Sequence, residues 1–250
     1  MKAHRAIGLI LGATLLTGCG VRPAPGMSAV SVRVQAKPKS GASEPFVHVA
    51  VYDAAPSSPA RAAAGGQMEH VDYSNLGDVV VWLEPAAAGA GAEGAKRAAA
   101  ERRVEIDTRN PSTKVHAAAV GERIVLVNHS GRAISFYSVS DGNDFTLKPI
   151  PAGGEDSYTV RSQGLIEILA DPSLPPVALV YAAPSPWVAE ARSGRSIVFS
   201  NLPPGEYQAV SWHPRLPGAS VDFKALPNQT AHVTLGVGVK YLAGAGAGNP

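Results

Sequence analysis

Apolar and polar residues alternate with a period of two over most of the chain, and this pattern predicts an all-β protein. The strongest single segment is 78–84 (DVVVWLE), a continuous apolar run closed by Pro85 that is typical of a buried strand. Between Val104 and Tyr181, short predicted strands alternate with turns such as Gly121-Glu122 and Gly153-Gly154. Strands spaced by roughly 8 to 12 residues favour a β-sandwich or a barrel.

A second, smaller group of strands is predicted after Pro184-Ser185-Pro186, at 187–191, 196–199, 207–212, 221–225 and 230–239. Side chains on a strand point alternately to its two faces. We therefore expect Val210 and Trp212 inside this second unit. His213 and Ser211 should face outward or toward the first unit.

These patterns divide the chain into five segments. They are a signal peptide at 1–18, a tether at 19–45 that contains alternating valines, a first sandwich at 46–182, a second sandwich at 183–242 and a flexible tail at 243–250. The first sandwich is expected to begin with a strand at 46–52. A low-complexity insertion at 86–103 should interrupt it as an exposed loop.

The N-terminus has the layout of a signal peptide, with Lys2 and Arg5 followed by an apolar run at 6–16 that is too short to span a bilayer. The run ends in Leu16-Thr17-Gly18-Cys19, which resembles the bacterial lipobox and predicts lipid attachment at Cys19. The alternative is an ordinary signal peptide with a chance cysteine. Some Gram-negative lipoproteins stay at the inner membrane when Asp follows the cysteine. Gly20 in that place favours an envelope protein on the outer membrane, facing the periplasm.

Charge and cysteine content exclude several classes of function. The chain carries 22 Lys and Arg against 20 Asp and Glu. Removal of 1–18 takes away two basic residues and no acidic one, so the mature charge is zero and nucleic-acid binding is disfavoured. A single cysteine excludes an internal disulfide and a thiolate zinc cluster.

Residues Val104 to Tyr181 resemble the cupredoxin-like proteins known as methylamine-utilisation or plastocyanin-like proteins. The matching stretch is HAAAVGERIVLVNHSGRAISFYSVS followed by DFTL and a glycine-led strand. Phe199 to Pro217 (FSNLPPGEYQAVSWHPRLP) is similar to the carboxypeptidase-regulatory-like β-domain that follows this module in such proteins. The resemblance implies a cupredoxin-like sandwich followed by a smaller transthyretin/carboxypeptidase-regulatory-like sandwich.

The same resemblance implies a copper site that this sequence has lost. Those relatives bind copper through two histidines, a cysteine and usually a methionine. The first-histidine position corresponds to Ile134. The ligand loop corresponds to 170–176 (ADPSLPP), which holds no Cys, His or Met. We therefore expect no type 1 copper, no metal ligands and no cofactor.

Other candidate chemistry is weaker. Six histidines could in principle form a histidine-only metal site: His48, His70, His116, His129, His213 and His232. A hairpin at Gly121-Glu122 would place His116 and His129 on neighbouring strands. No G-x-S-x-G motif is present, and Asp141, Asp144, Glu155 and Asp156 have the pattern of turn residues, so we expect no catalytic residues.

The sequence thus predicts a non-catalytic, lipid-anchored envelope protein that acts as a binding or assembly module. Its expected partners are the membrane, through the lipid anchor, and an unidentified protein or glycan, but no nucleic acid. One alternative is a histidine-only metal-handling or electron-transfer protein. A second alternative is a carbohydrate-binding or enzyme-accessory module.

Overall fold

A computed structural model describes residues 22–37, 73–86, 101–112 and 114–238. Regular structure in these residues consists of β-strands and one short 3₁₀ helix at Tyr73–Asn75, so the all-β prediction is confirmed. No helix in the described part is long and apolar enough to cross a bilayer. The predictions for 1–18, for a strand at 46–52 and for a tail at 243–250 lie outside the described residues.

The strands run in chain order from β1 to β15. They are β1 Ser28–Ala36, β2 Val79–Pro85, β3 Glu101–Ile106, β4 Val115–Ala119, β5 Arg123–Asn128, β6 Tyr137–Ser138, β7 Phe145–Thr146, β8 Glu155–Thr159, β9 Gly164–Ile168, β10 Ala178–Ala183, β11 Val188–Ala191, β12 Ser196–Leu202, β13 Gly205–Trp212, β14 Ser220–Ala225 and β15 Thr230–Val237.

Four main sheets form two sandwiches. The central sandwich, built from β3 to β10, has the sheets β3-β5-β8 and β4-β10-β9, and a short ribbon β6-β7 accompanies them. The terminal sandwich combines β1, β2 and β11 to β15 in the sheets β12-β1-β15 and β11-β2-β13-β14. Each sandwich buries its own apolar core between its two main sheets.

Strand β1 lies at the centre of the terminal sandwich. It pairs antiparallel with β12 and parallel with β15, and its Val30, Val32 and Val34 are fully buried in the core. The predicted tether at 19–45 is therefore wrong for Ser28–Ala36. Alternating valines form a buried sheet face here because a strand lies on each side of β1.

Strand β2 also belongs to the terminal sandwich, where it pairs with β11 and β13. The predicted first sandwich at 46–182 included this segment, so that boundary is wrong at residues 79–85. Its residues Val79, Val81 and Leu83 face the terminal core, whereas Val80 and Trp82 pack against β4 and β10 of the central sandwich. Burial on both faces explains why β2 is a continuous apolar run rather than an alternating one.

The turn after β4 connects two different sheets. Gly121 adopts a positive φ of 87°, and the Glu122 amide donates to the carbonyl of Ala119 at 3.0 Å. Strand β4 then pairs with β10, whereas β5 pairs with β3 and β8. The hairpin predicted between β4 and β5 is therefore wrong, because the chain crosses from one sheet of the central sandwich to the other.

The low-complexity insertion predicted at 86–103 ends earlier than expected. Strand β3 begins at Glu101 and pairs in register with β5, from Glu101 opposite Arg123 to Ile106 opposite Asn128. Its inward residues Val104 and Ile106 are buried in the central core. The residues at 87–100 lie outside the described part of the chain.

Candidate functional site

The position that the sequence resemblance aligned with the first copper histidine of cupredoxin-like proteins is filled by an apolar side chain. Ile134 is only 6% exposed and belongs to the central core together with Phe136. Its backbone exchanges two hydrogen bonds with Ile150, at 3.0 and 2.8 Å. This position therefore serves packing and offers no donor atom to a metal.

The loop at 170–176 also lacks the ligands for copper. Its polar groups bind each other, since the Ser173 hydroxyl and amide both donate to Oδ1 of Asp171, at 2.6 and 2.8 Å. These two hydrogen bonds lower the pKa of the Asp171 carboxyl. Type 1 copper requires soft sulfur and imidazole around one ion. The residues at this end of the central sandwich do not fit that group.

Asn128 organises the neighbouring loop through its buried amide. Its Nδ2 donates to the carbonyls of Arg132 and Ile150, at 2.8 and 2.9 Å, and its Oδ1 accepts from the Ser130 amide at 2.9 Å. A buried amide with its donors and acceptor satisfied fixes the local backbone. The loop that leads to Ile134 is therefore held by internal hydrogen bonds.

The structure does not bring the predicted histidines together. His116 lies on β4 and contacts Glu190, whereas His129 follows β5 in the other sheet and contacts Glu105. His232 is exposed on β15, and the predicted His48 and His70 lie outside the described residues. Within the described ranges, no three His, Cys, Asp or Glu side chains are grouped so that they could hold a metal ion.

A cluster of charges crosses the junction between the two sandwiches. Glu190 of β11 accepts from Lys114 Nζ at 2.6 Å, and its second oxygen lies 3.3 Å from Nδ1 of His116. Burial alone would raise the pKa of Glu190, but the hydrogen bonds from His116 and Lys114 and their charges lower it to about 2. The ionised carboxylate therefore joins the terminal sandwich to β4 of the central one.

Three aromatic rings form the apolar part of this junction. Tyr181 of β10 stacks on Trp212 of β13, with ring centroids 4.2 Å apart, and lies 5.6 Å from the ring of Trp82. The indole of Trp82 donates to a carboxylate oxygen of Glu84 at 2.6 Å. Aromatic pairs in such tilted or stacked arrangements stabilise an interface beyond their buried area.

The position of Trp212 corrects one prediction. The sequence led us to expect Val210 and Trp212 inside the second unit, but the alternate residues Tyr207 and Ala209 fill that core. Val210 and Trp212 instead pack against the central sandwich. Both faces of this sheet are buried, so the alternation alone did not show which face lies in the core.

His213 and Ser211 are likewise buried rather than outward. His213 is 6% exposed, and its Nδ1 accepts from the Arg215 amide at 3.1 Å. Burial lowers the pKa of His213 to about 4, against the opposite effect of the nearby Asp78 carboxylate. The hydroxyl of Ser211 donates to the carbonyl of Gly236 at 2.9 Å. The sequence analysis therefore placed these two residues on the wrong face of the sheet.

Comparison with known proteins adds limited information. No model of a protein family and no curated protein sequence matches this chain. Two similar solved structures are titled "Novel Purple Cupredoxin from Nitrosopumilus maritimus" and "NMR solution structure of copper binding protein in the apo form". They are 14% and 10% identical, and each alignment covers 33% of this chain, with 99% and 88% of the respective structures. Both TM-scores are 0.27.

Proposed function

We propose that this chain is a lipid-anchored, non-catalytic envelope protein that acts as a binding or assembly module. The observation that carries the proposal is the position of the chain's single cysteine, Cys19, at the end of Leu16-Thr17-Gly18-Cys19. Cleavage before Cys19 would leave this thiol at the new N-terminus, where it can take a lipid. Stable anchoring requires more than one acyl chain, which bacterial lipoproteins supply.

The distance from the cysteine to the folded part supports a role close to the membrane surface. Strand β1 begins at Ser28, nine residues after Cys19. An extended chain spans about 3.5 Å per residue, so this connection reaches at most roughly 30 Å. The terminal sandwich would therefore stay near the bilayer, with the central sandwich attached through the junction.

The charged side chains that form ion pairs within the fold support a binding function rather than a catalytic one. Glu190 is held by Lys114 and His116, and Asp107 forms an ion pair with Arg109 at 2.9 Å. Catalytic acids and bases need to be poised for proton transfer near the working pH. The pKa of Glu190 at about 2 keeps this carboxylate ionised, and its two oxygens already have partners. These arrangements hold structure together.

The two alternative functions gain no comparable support. A histidine-only metal site needs clustered imidazoles, but His116 lies on β4 and His129 follows β5 of the other sheet, each with its own carboxylate partner. Glycan binding commonly uses an aromatic ring with an open face. Trp212 stacks on Tyr181, and Trp187 packs edge-on against Tyr207.

Labelling of cells with radioactive palmitate tests the proposal. Wild-type protein should incorporate the label and fractionate with membranes, whereas Cys19→Ser should lose the label because a hydroxyl is a poorer nucleophile than a thiolate. Gly20→Asp serves as the matched control, since it should keep the label and move the protein to the inner membrane. Label retained by Cys19→Ser would contradict lipid attachment at this residue.

A further inference from the structure

Strand β12 forms an edge of the sheet β12-β1-β15. It pairs with β1 on one side, and no other described strand pairs with its second side. The Val34 amide donates to the carbonyl of Arg195 at 3.1 Å, which sets the alternation of backbone groups along the pair. Ser196 and Val198 therefore direct their N–H and C=O groups away from β1, toward the outer edge.

Most of this edge lacks the features that usually prevent strand addition. Edge strands are commonly protected by charged residues, prolines or bulges. Strand β12 (SIVFSNL) contains no charged residue and no proline, and its Val198 side chain is 46% exposed. The pairing with β1 becomes irregular only at the far end, between Ser28 and Val30, near Asn201 with its positive φ of 57°.

Three arginines, Arg33, Arg192 and Arg195, form an arginine cluster at the other end of β12. Arg33 lies opposite Ser196 in the sheet, and the Arg195 amide donates to the carbonyl of Arg192 at 3.1 Å. None of the three forms an ion pair with another described residue, although Arg192 reaches the side-chain oxygen of Asn75 at 3.4 Å.

Two arginines of the central sandwich, in contrast, have acidic partners. Arg103 contacts Glu155 at 2.6 Å, and Arg109 contacts Asp107 at 2.9 Å. The arginine cluster thus presents positive charge beside an unpaired strand edge. Guanidinium groups bind carboxylates through paired, charge-assisted hydrogen bonds. The charge that complements this end of β12 is therefore a carboxylate.

We propose that β12 is a docking edge for an extended segment of a partner protein, which adds as a further strand and places a carboxylate at the arginine cluster. This inference rests on the proposed binding function and names its class of partner. In such strand addition, backbone hydrogen bonds supply affinity and the side-chain contacts supply specificity. Val198 offers the apolar contact, and the arginine cluster selects the acidic end.

Two other occupants fit the structure less well. A second copy that paired through its own β12 would bring no carboxylate, because that strand contains none. Anionic lipid would have to reach the end of β1 that lies away from the anchored cysteine. Strand β1 begins at Ser28, on the side of Cys19, and Ser28 lies beside the C-terminal end of β12 at Leu202. Arg33 is five residues further along β1, roughly 17 Å from Ser28 at the usual rise per residue.

Fluorescence anisotropy with defined peptides tests the proposal on the full-length mature protein. The probe is a labelled peptide of alternating Val and Thr that ends in Glu-Asp, and the matched peptide ends in Lys-Lys. We expect saturable binding of the acidic peptide and binding about tenfold weaker for the basic one. An acidic peptide with N-methylated alternate residues should also lose binding, because it cannot donate to the strand edge.

Variants of the protein provide the second arm. Val198→Pro removes an outward N–H and should weaken the acidic peptide about tenfold, whereas Val198→Thr keeps the N–H and should bind as wild type does. The double variant Arg33→Gln and Arg195→Gln should bind the acidic and basic peptides equally. If Val198→Pro does not fold, the N-methylated peptide still decides the question.

Three results with the peptides and variants would contradict strand addition at β12. They are equal binding of the acidic and basic peptides to wild type, undiminished binding of the N-methylated peptide, and a dimer that dissociates on Val198→Pro without peptide. Displacement of the acidic peptide by phosphatidylglycerol vesicles would assign the arginine cluster to lipid instead. Failure of palmitate labelling is a separate outcome, because it would remove the anchor and leave peptide binding unchanged.

Discussion

The two sandwiches differ in whether their surface offers unpaired groups to a binding partner. In the central sandwich, the position that the sequence resemblance aligns with a copper histidine is filled by Ile134, and the hydrogen bonds of Asn128 hold the neighbouring loop. In the terminal sandwich, β12 keeps one edge without a described strand partner, next to arginines without described ion pairs. The sandwich that resembles a metal-binding family is thus the less equipped of the two for binding.

This difference shows that the sandwich with the sequence resemblance and the sandwich with the proposed binding edge can be different parts of one chain. The central sandwich is packed through apolar residues such as Phe136, which is fully buried. The terminal sandwich is built from three separate stretches of sequence that meet around β1 and β2. Function is set by sites rather than by the fold that carries them.

The largest expected loss of stability comes from replacing Gly218 in the terminal sandwich. A Cβ at this position would lie 1.9 Å from the backbone oxygen of Ser211, which cannot move without disrupting β13. Gly218→Ala should cost about 3 kcal/mol or more of unfolding free energy. Gly131→Ala is the control, because nothing lies within 4 Å of its Cβ position. Chemical denaturation measures both, and equal stability of the two variants would contradict the close approach.

The second-largest loss of stability is expected at the aromatic junction between the two sandwiches. Trp212→Ala removes the ring that stacks on Tyr181 and should cost about 2 to 3 kcal/mol, less than a fully buried tryptophan in a core. We expect calorimetry to show the two sandwiches melting separately in this variant. Leu174→Ala, at an exposed position, should leave the melting profile unchanged. A single unchanged transition in Trp212→Ala would show that the aromatic stack does not couple the sandwiches.

His213 should make the terminal sandwich sensitive to acid. Its folded pKa of about 4 lies below the ordinary histidine value, so the unfolded chain binds more protons between these two values. Stability should therefore be full above about pH 6.5 and fall by about 2 kcal/mol as the pH drops toward 4. His213→Asn should flatten this dependence, and His232→Asn, on the exposed face of β15, should not. An unaltered pH profile in His213→Asn would argue against a buried neutral imidazole.

Glu190 should have the smallest effect on stability. Here the ionised form of the side chain stabilises the fold, whereas for His213 the neutral form does. Its folded pKa of about 2 lies below the ordinary carboxyl value, so its contribution is present above about pH 4.5 and lost as the pH falls toward 2. Glu190→Gln should cost about 1 kcal/mol at pH 7, because the group is partly solvated. The exposed Glu105→Gln serves as control and should cost less than about 0.5 kcal/mol. Urea titrations at pH 7 and pH 3 measure the free energy of unfolding of both variants and so distinguish Glu190→Gln from Glu105→Gln.

The sequence predicted local structure better than it predicted partners. The apolar run at 79–83 and the strand at Arg123–Asn128 were identified correctly because burial and β-branched residues act locally. Strand β1 was missed because proline, glycine and lysine around it favoured a tether. Its sheet partners β12 and β15 lie far away in sequence.

The candidate site was predictable only in part. That the side chain of Ile134 offers no donor atom to copper follows from residue identity alone. The cluster of Glu190 with Lys114 and His116 depends on β11 and β4 packing across two sandwiches, which no local pattern encodes. The same holds for the edge of β12, because a strand's position in a sheet is set by tertiary pairing.

The most direct test of the account is an NMR spectrum of the ¹⁵N-labelled mature protein, titrated with the acidic peptide and separately with copper. We predict that the peptide shifts the amide signals of β12 and the arginine cluster and leaves those of Ile134 and 170–176 in place. Copper should produce no joint shift at Ile134 and 170–176. A saturable copper-dependent shift confined to those residues, with β12 silent to peptide, would contradict the assignment of binding to the terminal sandwich.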